Sequence, residues 1–239
     1  MKIFVISDIH SNLEALETAL RYFDRIDGDK RLVCLGDIVG YGADPSDCLN
    51  LIRSSTEEIC MGNHDYAVID SKEEEFMNTY AVMGVQYSRS ILTQEQKDWL
   101  GRLPYIIDTH EAVYCHATPV VPESWDYIFE QSDANRTFPS MKKNIAFVGH
   151  SHIQGIYSEG ENKLNDSKII LPDNSKSIVN VGSIGQPRDG DSQLALSLYY
   201  PDDKAIKNVR LKYDKEAASK KIIDAGLPEY LAMRLLYGV

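Results

Sequence analysis

The chain opens on an unbroken apolar run, Lys2 to Ser7, the pattern of a strand covered on both faces. It ends in Ser7-Asp8-Ile9-His10, and the period then changes. Leu13, Leu16, Leu20 and Phe23 recur at helical spacing, with Glu14, Glu17, Arg21 and Asp24 opposite and Asn12 placed to cap the first turn. After a turn at Asp27-Gly28-Asp29, a second apolar run (Leu32 to Leu35) ends in Gly36-Asp37 and the loop Gly40-Tyr41-Gly42. Asp44-Pro45 reads as the cap and first position of a short helix carrying Cys48, Leu49 and Ile52. A third short run, Glu58-Ile59-Cys60, leads into Met61-Gly62-Asn63-His64-Asp65. This βαβαβ rhythm predicts an α/β sandwich.

Phe76, Tyr80, Met83, Tyr87 and Ile91 predict one longer helix over about 73–91, and Thr93-x-x-Gln96 predicts a capping box for the next, closed by Leu103-Pro104. Tyr105–Asp108 and Ala112–Cys115 are strand-like, and the second ends in His116. The stretch 118–143 is polar, with three prolines and the aromatic cluster Trp125, Tyr127 and Phe129, so it reads as a loop-rich excursion or cap with short helices. Asn144–Val148 is a further strand, ending in Gly149-His150-Ser151-His152. Beyond it come strand-like segments at 155–158, 168–171, 177–181, 193–199 and 205–213, with a hairpin turn at Pro201-Asp202-Asp203. Two helices over about 215–237 finish the chain, broken at Gly226-Leu227-Pro228. No linker or internal repeat interrupts the pattern, so residues 1–239 read as a single domain.

Composition narrows the classes. Hydrophobic content of 43% and charged content of 26% are those of an ordinary globular protein. No apolar stretch reaches the ~18–20 residues of a membrane span, and the first strand is too quickly polar for a signal peptide. A formal net charge of −11 repels a phosphate backbone and argues against extended nucleic-acid binding. Cys34, Cys48, Cys60 and Cys115 show no C-x-x-C spacing, and all but Cys48 sit inside apolar runs, so they read as reduced structural thiols and the protein as cytoplasmic.

The chemistry lies where the apolar runs stop. Asp8 with His10, Asp37, Asn63 with His64, His116, and His150 with His152 each follow one, and five of the six histidines occupy such positions. In an α/β sheet the carboxyl ends of the strands line one edge, where ligands bind. Imidazole and carboxylate without thiolate suit Mn, Fe, Zn or Ni rather than a structural zinc or calcium site. Two aspartates, an asparagine and four or five imidazoles exceed the needs of one ion and match two divalent ions sharing a carboxylate, a pair that clamps a phosphoryl group and activates a bridging water. That predicts hydrolysis of phosphate esters.

The blocks Asp8-x-His10, Gly36-Asp37, Gly62-Asn63-His64-Asp65, His116 and Gly149-His150-x-His152 resemble, in order, those of the calcineurin-like metallophosphoesterases. Asn180-Val181-Gly182-Ser183-Ile184-Gly185-Gln186-Pro187-Arg188 and Ala225-Gly226-Leu227-Pro228 resemble its smaller bacterial, phosphodiesterase-like branch. The resemblance implies a four-layer αββα sandwich of two mixed sheets flanked by helices. It implies that Asp8, His10 and His152 hold one metal, that Asn63, His116 and His150 hold the other, and that Asp37 bridges them. It gives His64 the leaving group or the phosphate, and Asp65 the task of aiming that imidazole. A metal-bridging hydroxide would attack phosphorus in line. Ser/Thr protein phosphatases of the superfamily carry Gly-Asp-x-x-Asp-Arg, whereas this chain reads Gly36-Asp37-Ile38-Val39-Gly40-Tyr41. Without that arginine to clamp a dianionic monoester, diesters are favoured, and Arg188 is a candidate substrate contact in its place. A diadenosine polyphosphate hydrolase, a phosphomonoesterase or protein phosphatase, and a non-catalytic scaffold on the same fold are the alternatives. The substrate expected is a small phosphate ester, a nucleotide-derived one among the candidates.

Overall fold

A computed structural model describes residues 1–165 and 167–239 of the chain. The first strand, β1 (Lys2–Ile6), runs parallel to β2 (Lys30–Cys34) across the helix α1 (Leu13–Asp24). Helix α2 (Pro45–Ser55) follows, then α3 (Asn63–Ile69), a 3₁₀ turn at Ser71–Phe76, α4 (Thr79–Ile91) and α5 (Gln94–Leu100). Strands β3 (Ile106–Asp108) and β4 (Val113–Cys115) pair antiparallel, and α6 (Gln131–Thr137) lies inside the 118–143 excursion. The remaining strands are β5 (Ile145–Val148), β6 (Gly155–Ser158), β7 (Lys163–Asn165), β8 (Lys168–Ile170), β9 (Ser177–Asn180), β10 (Leu194–Tyr200) and β11 (Ala205–Leu211). Helices α7 (Lys215–Asp224) and α8 (Glu229–Tyr237) end the chain.

Two mixed sheets result, ordered β2-β1-β10-β11-β8-β7 and β3-β4-β5-β9-β6. The side chains alternate as the two-residue period of a strand requires. Ile3 and Val5 of β1 turn inward with Val33, Tyr114, Phe147, Val179 and Tyr199 to form the core between the sheets. Phe4 and Ile6 turn outward onto Ala15, Leu16, Leu49 and Ile52 of the helices. The opposite sheet is covered by Ile128, Ala134, Phe138 and Met141 of the excursion. Helix, sheet, sheet and helix are therefore stacked as the αββα sandwich expected. Among the described residues no helix is long and apolar enough to cross a membrane.

Four local expectations change. Glu58-Ile59-Cys60 forms no full strand but a single parallel bridge, Cys34 to Ile59, although Cys34 and Cys60 exchange backbone hydrogen bonds with its neighbourhood. The helix expected over 73–91 is divided, because Asn78 accepts from the Tyr80 and Ala81 amides and starts α4 afresh. Asp44 and Pro45 take the N-cap and first helical positions of α2 as expected, but the Asp44 carboxylate makes no capping bond; it meets Lys221, which also binds Glu14. Strand β7 has no counterpart in the sequence reading. The caps at Asn12 and Thr93 form as expected.

Candidate metal centre

The parallel strands β1 and β2 of one sheet and β4, β5 and β9 of the other point their carboxyl ends to a common edge. The loops that leave those ends are short and tightly coiled. Asp8, His10, Asp37, His150 and His152 have φ of 56°, 48°, 53°, 64° and 59°, all in the left-handed region that side chains other than glycine rarely adopt. Backbone hydrogen bonds between the loops hold them there: the Asp8 amide donates to Gly36 O, the His10 amide to Asp37 O, and the Gly149 amide to His116 O. Glycine is required where the loops touch. A methyl on Gly149 would strike the side chains of Ser7 and Asp8, and one on Gly62 would strike Asp37.

The outcome is two groups of buried donors. Asp8, His10, Asp37 and His152 form one, Asp37, His116 and His150 the other, and within each the donor atoms lie within 4.8 Å of one another. Asp37 belongs to both. Nε2 of His10 is 3.0 Å from Nε2 of His152, and Nε2 of His116 is 3.1 Å from Nδ1 of His150. Asp37 Oδ2 lies 3.5 Å from His10 Nε2 and 3.3 Å from His116 Nε2. The far ring nitrogens are tied to carbonyls: Nδ1 of His10 to Val39 O, of His116 to Leu35 O and of His152 to Gln186 O, at 3.1, 3.2 and 2.6 Å. Each such bond fixes a hydrogen on Nδ1 and turns Nε2 toward the cluster, the usual support of a metal-ligating histidine.

Asn63 starts α3 beside the second group. Its Oδ1 is buried without a hydrogen-bond partner, as is Asp8 Oδ1. Buried oxygens are rarely left so, and these two stand where a cation needs acceptors. Burial by itself would raise the carboxyl of Asp8, but His152, His10 and His116 outweigh it and hold the group well below the usual carboxylate range. Asp37 is held down in the same way, chiefly by His116 and His64. Burial pushes His150 and His152 down to about 3, so both are neutral donors. His116 moves the other way, to about 9: burial opposes the shift, and Asp37 more than offsets it. A cation bound there displaces that proton. Oxygen and imidazole donors in this number fit divalent transition metals.

His64 joins the cluster without entering either group. Its amide donates to Asp37 Oδ1 at 2.9 Å, and its ring packs against His10 and Tyr41, with centroids 4.7 and 4.5 Å apart. Burial, aided by His10, Arg188 and His152 and opposed by Asp37, lowers its pKa well below that of free imidazole. Asp65 does not aim this ring, contrary to expectation. Its Oδ1 accepts from the Ile38 and Val39 amides and its Oδ2 from Gly62, at 2.9, 3.2 and 3.2 Å. A carboxylate three residues into a helix turn reaches backbone donors more readily than the side chain beside it, which points elsewhere. Arg188 does reach the cluster. Its guanidinium lies 5.5 Å from the Tyr41 ring and donates to Gln186 Oε1, and it makes no ion pair among the described residues.

Three contributors were given no site role by the sequence. Asn180, at the end of β9, donates to Gly149 O and Ser151 Oγ, both at 2.8 Å, and so braces the loop bearing His150 and His152. Tyr41 floors the space under His10, His64 and Arg188. Tyr127 stacks on His150, with centroids 3.9 Å apart, and on Phe129. Tyr41 lies between Gly40 and Gly42, which is a cue to a tight site but not to these contacts.

Residues 1–202 match the model of the calcineurin-like phosphoesterase superfamily domain, and the chain belongs to that family. It is 39% identical over 242 residues to an uncharacterised protein of Methanocaldococcus jannaschii, covering 99% of this chain and 98% of that one. Its fold is similar to that of a metallophosphoesterase from Sphaerobacter thermophilus, with a TM-score of 0.87, 32% identity and all of both chains covered. A hypothetical protein from Pyrococcus horikoshii shares the fold at a TM-score of 0.80 and 19% identity, over 100% of this chain and 98% of that one.

Proposed function

We propose that this chain is a dinuclear metal-dependent phosphoesterase acting on phosphodiesters. The observation that carries the reading is the pair of buried donor groups that meet at Asp37. In it, Asp8, His10 and His152 hold one divalent transition-metal ion, Asn63, His116 and His150 hold the other, and Asp37 belongs to both. Bound as a pair, such ions stabilise charge on the phosphoryl oxygens and acidify a shared water. His64, kept neutral by burial, donates its ring N–H to the phosphate or to the departing oxygen. Arg188, without an anionic partner among the described residues, meets one further phosphate oxygen in this reading, and its position over Tyr41 supports that. A single guanidinium from outside the Gly36-Asp37 block matches the one negative charge of a diester better than the two of a monoester.

The reading takes residues 1–239 as one domain, because Leu231 and Leu235 of α8 pack with Tyr41 and Ala81 beside the cluster. Four buried free cysteines fit a reducing cytoplasm. The test is Asp37→Asn, measured by elemental analysis and by hydrolysis of an aryl phosphodiester with Mn. Wild-type protein is expected to hold two ions, and the variant to lose metal and rate together. A variant that keeps two ions and full rate overturns the bridging role and, with it, the dinuclear reading.

A further inference from the structure

Beside the donor cluster opens a cleft of about 330 Å³, with Asn63 and His150 at its inner end. Phe76, Trp125 and Tyr127 line it. Phe76 is 83% exposed and Tyr127 46%, although an aromatic ring gains from burial. Glu73 and Glu123 line it too, and among the described residues neither carboxylate has a hydrogen-bond or ion-pair partner. No lysine or arginine is among the described residues that line the cleft. His150, at the inner end, is 5% exposed, and its Nε2 has no hydrogen-bond partner among the described residues. The cation of the centre, Arg188, lies over Tyr41 instead.

These features divide the surroundings of the cluster. One side offers a guanidinium, the other aromatic rings and two free carboxylates. Aromatic faces with nearby carboxylates attract an organic cation through ring quadrupole and charge together, and they repel a further phosphate. Burial, with Asp70 second, already raises the carboxyl of Glu73, so a cation placed there relieves an unfavourable charge. We propose that the cleft receives a positively charged, ammonium-bearing arm of the phosphoester, with Phe76, Trp125, Glu73 and Glu123 as its specificity-determining residues. This rests on the phosphoesterase reading and names the substrate class within it. It disfavours dinucleoside polyphosphates, whose additional phosphates would face the two carboxylates.

The probes are two p-nitrophenyl phosphodiesters that differ only in the second arm, choline in one and 3,3-dimethylbutanol, its uncharged isostere, in the other. With Mn-loaded protein the choline ester is expected to have about a tenfold higher kcat/KM, the size of a desolvated cation–π and charge contact. In the double variant Glu73→Gln/Glu123→Gln the ratio is expected to fall to about one. Equal kcat/KM for the two esters in the wild type, or a ratio that survives in the double variant, overturns the proposal. A second measurement does not depend on hydrolysis. The chain has two tryptophans, so Trp99→Phe leaves Trp125 as the only reporter, and its fluorescence is titrated with choline and with 3,3-dimethylbutanol. Saturable quenching by choline alone supports the cleft even if neither ester is cleaved, an outcome that removes the phosphoesterase reading instead. Cleavage of both esters at one rate, with no saturable quenching, removes the cleft proposal and leaves the enzyme.

Discussion

At the scale of single residues, the centre is assembled from conformations that cost energy. Asp8, His10, Asp37, His150 and His152 all hold left-handed backbone, worth of order 1–3 kcal/mol each in strain. Such strain persists only where neighbours over-determine it, and here Asp65 is one of the determinants, fixing the Ile38 and Val39 amides just after Asp37. His64 and Asp65 are adjacent in sequence and differ in task, so their variants are expected to differ in kind. His64→Ala should keep its metals and fold and lose about 10²–10⁴ in kcat, most for esters with poor leaving groups. Full kcat on such esters would remove His64 from the chemistry. Asp65→Ala leaves buried amides unpaired and should lower the unfolding free energy by about 1–3 kcal/mol, together with metal affinity. Thermal melting and metal titration check this, and an unchanged melt with reduced kcat would return Asp65 to the aiming role. The donors themselves were legible in the sequence, because each follows an apolar run. The partner of Asp65 was not, since it depends on which loop folds beneath α3.

At the scale of elements, the ends of strands matter more than the strands. The loop Gly149–His152 carries two of the candidate ligands and is braced by a residue from a different strand, Asn180. Asn180→Ala should therefore weaken metal binding by about 10–100-fold while leaving the sheet intact. Metal titration alongside far-UV circular dichroism distinguishes this from general unfolding, and an unchanged affinity would show that the loop needs no brace. Two elements misled the periodicity for local reasons. Ile59 and Cys60 are apolar and buried, but their neighbour Cys34 lies at the end of its strand, so only one bridge forms. Phe76 continues the helical spacing of α4, yet Asn78 caps a new helix behind it and leaves Phe76 facing the cleft. Short apolar runs and overlapping caps are where local pattern competes with tertiary pairing.

At the scale of the molecule, the two sheets turn their carboxyl edges to one rim and bury ionised carboxylates there among imidazoles. A cation that binds this rim in the folded state alone adds stability as RT ln(1 + [L]/Kd), about 4 kcal/mol at a thousandfold excess over Kd. For a chain of this size, chelation should lower the melting temperature by about 10 °C. Calorimetry before and after chelation, with Mn added back, measures it, and an unchanged melt would argue against occupied sites.

The sequence by itself determined the α/β class, the caps at Asn12 and Thr93, the superfamily, and the residues that crowd the ends of the apolar runs. These are local facts, written in periods of two and 3.6 residues and in short motifs. Tertiary structure alone decided that Asp65 serves backbone rather than His64, that Asn180 braces the loop of His150 and His152, and that Arg188 and the acidic aromatic cleft lie on different sides of the cluster. Those depend on contacts between residues far apart in the chain, such as Asp8 with His152 and Gly149 with Asn180, which no local period encodes.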